Sequence, residues 1–117
     1  FAPHPIQGWT PDFIPLVLQE ALDKGYHDAL EPVSGEESIA WSRRLASQEG
    51  ILAGISGGAS LAAAVKVAET APEGTVLLAM LPDTGERYLS TPLFDGIGAE
   101  MDAEEAALSA STPGFQY

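Results

Sequence analysis

The chain has 117 residues, no cysteine and a formal net charge of −12, from 17 acidic and 5 basic side chains. This length suits one small domain, and a hydrophobic content of 45% suffices for a globular core. The negative charge would repel phosphates, which argues against a nucleic-acid partner and against insertion at an anionic membrane. Without cysteine, the chain can form neither a disulfide nor a thiolate nucleophile.

The N-terminal region, residues 1–15, is rich in proline, which prevents a continuous helix there. Pro15 suits the start of a helix and Gly25 suits its end, so residues 16–24 are predicted to be helical. The first residues lack the basic and apolar regions of a signal peptide and are typical of a cut or processed end. We therefore expect a protein of the cytoplasm or of an organelle interior, such as a plastid or mitochondrion, and not a secreted one.

A second helix is predicted over residues 35–49. Ser34 and Glu37 have the spacing of a capping box, in which each side chain bonds a backbone N–H group of the other residue. Gly50 favours the left-handed conformation that ends a helix.

The following region alternates apolar runs with a helical pattern. Residues 51–55 and 75–81 are predicted to be buried strands, and residues 57–70 a helix between them. This order indicates an α/β fold, with a partial parallel sheet and flanking helices. We expect one unit over residues 1–94 and an acidic tail or arm over residues 95–117. Within the tail, residues 102–108 are predicted to form a short helix capped by Asp102, and residues 109–117 an extended arm.

Two polar motifs follow the predicted strands. A glycine-rich turn, Ser56-Gly-Gly-Ala-Ser60, opens a helix, where backbone N–H groups could cradle a phosphate or where glycine could serve close packing alone. The second motif runs from Asp83 to Tyr88, at the strand end where α/β folds place ligands. Its Glu86 and Arg87 are predicted to form an ion pair that fixes the turn, while Thr84 and Tyr88 are candidates for lining a pocket.

These two motifs, in this order and spacing, resemble the C-terminal third of cysteine synthase, the O-acetylserine sulfhydrylase family of pyridoxal-phosphate enzymes of fold type II. A third stretch, His4-Pro-Ile-Gln-Gly8-Trp9 with Phe13-Ile-Pro15, is similar to the family's loop before the cofactor site. The resemblance covers nearly the whole chain and implies two α/β domains with the cofactor between them, usually in a homodimer.

The resemblance implies specific roles for six residues. Ser56 would hydrogen-bond the pyridine nitrogen, and Gly8 and Asp83 are further cofactor-binding candidates. Trp9, Thr84 and Tyr88 are substrate-pocket candidates; Trp9 stands where the commoner family pattern is glycine-rich, so it would reshape the pocket or serve as a core anchor. The family's Schiff-base lysine and phosphate loop match nothing here, since neither Lys24 nor Lys66 has the required context.

We therefore expect a segment of a transferase that makes cysteine from O-acetylserine and sulfide, with no catalytic residue of its own and no activity alone. Its partner would be the rest of the enzyme. The alternative is a repurposed, non-catalytic fragment that acts as a structural subunit and binds another protein subunit. Neither alternative requires a metal.

Overall fold

The computed structural model describes residues 4–9, 12–111 and 114. Four α-helices account for most of the regular structure: α1 (Leu16–Asp23), α2 (Gly35–Glu49), α3 (Ile55–Ala68) and α4 (Ala103–Ser111). Three short 3-10 helices lie at Gln7–Trp9, Gly85–Tyr88 and Pro92–Phe94. No described helix is long and apolar enough to cross a bilayer.

Local sequence signals fix the helix ends as predicted. The Ser34 side chain accepts a hydrogen bond from the Glu37 N–H, and the Glu37 carboxylate accepts one from the Ser34 N–H, which confirms the capping box of α2. Gly25 and Gly50 have φ values of 65° and 69°, the left-handed region open to glycine. Asp102 caps α4 by accepting from the N–H groups of Glu104 and Glu105.

The centre of the molecule is the close contact between α2 and α3. A Cβ atom on Gly58 would collide with the carbonyl of Ser38 and the N–H of Ser42, so glycine allows the two backbones to approach. Ser38 and Ser42 are buried between the helices, but both hydroxyls are satisfied: they donate to the Ser34 and Ala53 carbonyls at 2.7 and 2.8 Å.

A small apolar core next to this pair holds the N-terminal and C-terminal segments together. Ile6, Ile55, Ala59 and Leu93 form it, with Tyr88 packed against its edge. Arg43 of α2 secures the same region, donating to the carbonyls of residues 92, 93 and 95. These contacts hold all three 3-10 helices beside Ile55, the first residue of α3.

The predicted parallel sheet is not confirmed, because the described residues contain no strand. Residues 51–54 make one isolated antiparallel bridge, Ala53 with Thr84, and Ile55 already belongs to α3 rather than to a strand. Residues 75–81 have no bridge partner, and the side chains of Val76 and Leu78 are 94% and 93% exposed. A strand exists only when its backbone groups pair with a neighbour, and this part of the chain supplies no neighbour.

The prediction of an extended arm over residues 109–117 is also wrong at its start, which is helical. Its first three residues continue α4 to Ser111, and of the others only residue 114 lies within the described part. The division into units over 1–94 and 95–117 stays a prediction.

Candidate functional site

A cleft of about 620 Å³ lies where the first 3-10 helix, the start of α3 and the turn after residue 81 meet. Five of the six predicted site residues line it: Gly8, Trp9, Ser56, Asp83 and Tyr88. The structure therefore brings three sequence-distant segments together at this cleft. Thr84, the sixth, is not among the lining residues; it pairs with Ala53 in the isolated bridge.

Ser56 is the second residue of α3 and is 6% exposed. Its hydroxyl has no hydrogen-bond partner in the part of the chain that the structure describes, unlike the satisfied hydroxyls of Ser38 and Ser42. Gly54 precedes the helix and offers no capping side chain, so the first N–H groups of α3 also keep their donor capacity. This end of the cleft therefore presents hydrogen-bond donors with a favourable dipole direction.

Asp83 and Tyr88 contribute further polar groups to the cleft. The Tyr88 hydroxyl donates to Asp83 Oδ2 at 2.7 Å, while Asp83 Oδ1 is buried with no partner among the described atoms. The hydrogen bond to Asp83, followed by burial, raises the pKa of the Tyr88 hydroxyl above its ordinary value of 10.0, so this group stays protonated at neutral pH. A buried acceptor without a donor costs free energy, which a bound donor would recover.

Gly54 permits this arrangement, a role that its sequence motif does not predict. A Cβ atom there would collide with the Asp83 carboxylate and the Tyr88 ring. The Gly54 N–H also donates to the Asp83 carbonyl at 3.3 Å. One feature of the sequence could have indicated this role: the residue just before α3 is a glycine rather than one of the usual capping residues serine, threonine or aspartate.

Arg87 is the other residue whose place was not foreseen. The predicted ion pair between Glu86 and Arg87 does not form; the Thr84 hydroxyl instead lowers the pKa of the Glu86 carboxyl, and Arg87 lines the cleft. The other four cations are engaged elsewhere. Lys24 pairs with Glu20, Lys66 pairs with Glu37, Arg43 binds three carbonyls and Arg44 stacks on Trp41.

The described residues contain no group of three potential metal ligands. Neither lysine lines the cleft, in agreement with their ion pairs on the helices. The cleft thus combines unpartnered donors at Ser56, an unpartnered acceptor at Asp83, one cation and an aromatic surface at Trp9. This donor set suits a small, polar, partly planar ligand.

The chain is similar in sequence to several known proteins. A profile of the family described as pyridoxal-phosphate dependent enzyme matches residues 2–83. O-ureido-L-serine synthase of Streptomyces lavendulae is 56% identical over 102 residues, which cover 87% of this chain and 30% of that protein. Cysteine synthase of Staphylococcus aureus strain Mu50 is 42% identical over 92 residues, covering 79% of this chain and 28% of that protein.

Solved structures give the same result. The crystal structure of an O-ureido-L-serine-bound mutant of O-ureido-L-serine synthase superposes with a TM-score of 0.79 at 51% identity, covering 97% of this chain and 34% of that one. An O-acetylserine-dependent cystathionine beta-synthase from Helicobacter pylori gives a TM-score of 0.67 at 37% identity, covering 80% and 29%. The chain therefore spans about 30% of the length of the relatives it matches.

Proposed function

Because this chain belongs to the pyridoxal-phosphate-dependent enzyme family, we propose that it forms one wall of the cofactor site in a longer enzyme that replaces the β-substituent of an O-acylated L-serine. The resemblance to the C-terminal third of cysteine synthase is confirmed by the relatives and by fold type II structures. The observation that carries the proposal is the buried Ser56 hydroxyl, unpartnered in the described chain and directed by α3 to the cleft.

The residues of the cleft fit the cofactor. The Ser56 hydroxyl would donate to the pyridine nitrogen, Asp83 Oδ1 would accept from a ligand donor, and Gly8 would allow close approach, since nothing lies within 4 Å of its missing Cβ. When bound, pyridoxal phosphate supplies an electron sink that weakens bonds at the substrate's α-carbon. Ser56 is a neutral donor that keeps its proton, so it leaves the ring nitrogen largely unprotonated and favours elimination at the β-carbon over transamination.

The overall reaction replaces one substituent on the β-carbon of the substrate with another. The bond from the β-carbon to the acetate oxygen breaks, and acetate leaves with the electron pair. A nucleophile then bonds to the same carbon and loses its proton to solvent. With hydrogen sulfide the product is L-cysteine; with the hydroxyl of hydroxyurea it is O-ureido-L-serine. We infer that O-ureido-L-serine is the better candidate, because the identity to its synthase is 56% against 42% to cysteine synthase.

Two measurements test the proposal. An intact mass of the source protein near three times 12.2 kDa supports a full enzyme, whereas a mass near 12.2 kDa supports the alternative of a non-catalytic structural fragment. The full enzyme, loaded with pyridoxal phosphate and given O-acetyl-L-serine, is then supplied with either sulfide or hydroxyurea, and the amino-acid products are separated by mass. Acetate release with neither product would contradict the proposed replacement.

The proposal includes partners. The rest of the enzyme would cover the cleft and provide the lysine and phosphate site, and we propose a homodimer as in the family resemblance. The relatives reported above are bacterial, and they offer no support for an organelle.

A further inference from the structure

We propose that Trp9 is a specificity-determining residue, whose indole face stacks on the planar ureido group of the incoming nucleophile and so selects hydroxyurea over sulfide. This inference rests on the proposed function, since it concerns the second substrate of that same site. It assigns to the first 3-10 helix a role in choosing the nucleophile, separate from the contact of Ser56 with the cofactor.

The backbone of Trp9 is anchored while its side chain is open. The Trp9 N–H donates to the Ile6 carbonyl at 3.1 Å, and Ile6 is 8% exposed within the apolar core. The indole nevertheless remains 56% exposed and lines the cleft. The N–H group of the indole ring, unlike the backbone N–H, has no hydrogen-bond partner among the described residues. An exposed aromatic ring that lines a cleft, on a backbone held by a hydrogen bond, offers a stacking surface.

The surroundings of Trp9 favour a neutral planar ligand. The Asp83 carboxylate lines the same cleft. Its Oδ2 atom accepts a hydrogen bond from the Tyr88 hydroxyl, and its Oδ1 atom has no donor among the described residues. Hydrosulfide has one heavy atom, so it gains little from an aromatic plane and cannot reach the indole and the Asp83 carboxylate together. Hydroxyurea is neutral, planar over its urea atoms and rich in N–H donors, so it can use both features.

Trp41 provides a matched control. It is the only other tryptophan of the chain and lies on α2, outside the cleft lining. The Arg44 guanidinium carbon stacks 4.0 Å from the centroid of the Trp41 ring. Trp9→Phe keeps an aromatic plane at the site, whereas Trp9→Leu removes it and keeps an apolar side chain.

The test measures kcat/KM for hydroxyurea and for sulfide in the full enzyme with pyridoxal phosphate and O-acetyl-L-serine. We expect the hydroxyurea-to-sulfide ratio to fall about tenfold in Trp9→Leu and about twofold in Trp9→Phe, the range of an aromatic stacking contribution. Trp41→Phe should leave the ratio unchanged. An unchanged ratio in both Trp9 variants would overturn the inference while leaving the proposed replacement reaction intact.

A binding measurement keeps the inference testable if turnover fails or Trp9→Leu does not fold. Hydroxyurea is titrated into the wild-type, Trp9→Phe and Trp41→Phe proteins while tryptophan fluorescence is followed. Quenching that persists in Trp41→Phe and disappears in Trp9→Phe supports stacking on Trp9. Equal quenching in both variants, or none in the wild type, contradicts it.

Discussion

At the scale of single residues, the cleft is defined by polar groups whose local partners are missing. Ser38 and Ser42 lie as deep as Ser56, yet their hydroxyls donate to backbone carbonyls. Ser56 and Asp83 Oδ1 have no such partner in the described chain, although a buried polar atom without a partner is costly. The difference separates serines that hold helices together from a serine that is available to a ligand.

The role proposed for Ser56 predicts distinct effects of two substitutions in the full enzyme. Ser56→Ala should retain the cofactor, because other groups also hold it, while kcat falls about 10- to 100-fold, as expected for one lost hydrogen bond. Ser56→Asp should place a carboxylate at the ring nitrogen, protonate it and shift the cofactor's absorption spectrum.

The control for both variants is Ser60→Ala, one turn further along α3 and outside the cleft lining. Its turnover and spectrum should match the wild type. Turnover that is unchanged in Ser56→Ala and Ser56→Asp would remove Ser56 from the site.

At the scale of elements, α2 and α3 are positioned by a backbone contact rather than by large apolar side chains. Gly58 faces the Ser38 carbonyl and the Ser42 N–H, neither of which can move without displacing α2. Gly57, its neighbour, faces the Ala53 methyl group and the Leu81 side chain at 2.9 and 3.3 Å. Since α3 carries Ser56, this contact fixes the position against α2 of the helix that brings Ser56 to the cleft.

Alanine at these two glycines should therefore have unequal effects. Both substitutions gain about 1 kcal/mol of helix propensity. Gly58→Ala should lose about 3 kcal/mol or more to overpacking against fixed backbone, for a clear net loss of stability. Gly57→Ala should cost less, because its nearest neighbours are the Ala53 methyl group at 2.9 Å and the flexible Leu81 side chain at 3.3 Å rather than backbone atoms of α2. Urea unfolding of the two variants of the full enzyme gives the comparison, and equal midpoints would show that α2 and α3 are not in this close contact.

At the scale of the whole molecule, the chain leaves an extended apolar segment uncovered. Val76, Leu78 and Met80 are 94%, 93% and 69% exposed, and their backbone has no sheet partner in the described structure. Leaving a few hundred Å² of such surface in water forfeits several kcal/mol at roughly 25 cal/mol per Å². That loss is comparable to the total stability of a domain, about 5–15 kcal/mol.

We expect the isolated chain to self-associate or to be partly unfolded, and to bind a hydrophobic dye. Leu78→Lys should reduce both association and dye binding, because a charge on the segment opposes edge pairing. Thr70→Lys, an exposed position just after α3, adds the same charge elsewhere and should change neither. A monodisperse monomer by analytical ultracentrifugation, with a cooperative melt and no dye binding, would contradict this expectation.

The sequence by itself determined the features that depend on neighbours a few residues away. The capping box at Ser34, the left-handed Gly50 and the Asp102 cap are all present because each joins groups within one helical turn. The motifs around Gly8, Ser56 and Asp83 also sufficed to indicate the family, and the structure brings these three residues to one cleft. Tertiary structure alone decided that Arg87 lines the cleft instead of pairing with Glu86, and that Asp83 Oδ1 is buried with no partner among the described residues. It also decided that residues 75–81 form no strand here, since a strand, unlike a helix, needs a partner from a distant part of the chain or from another chain.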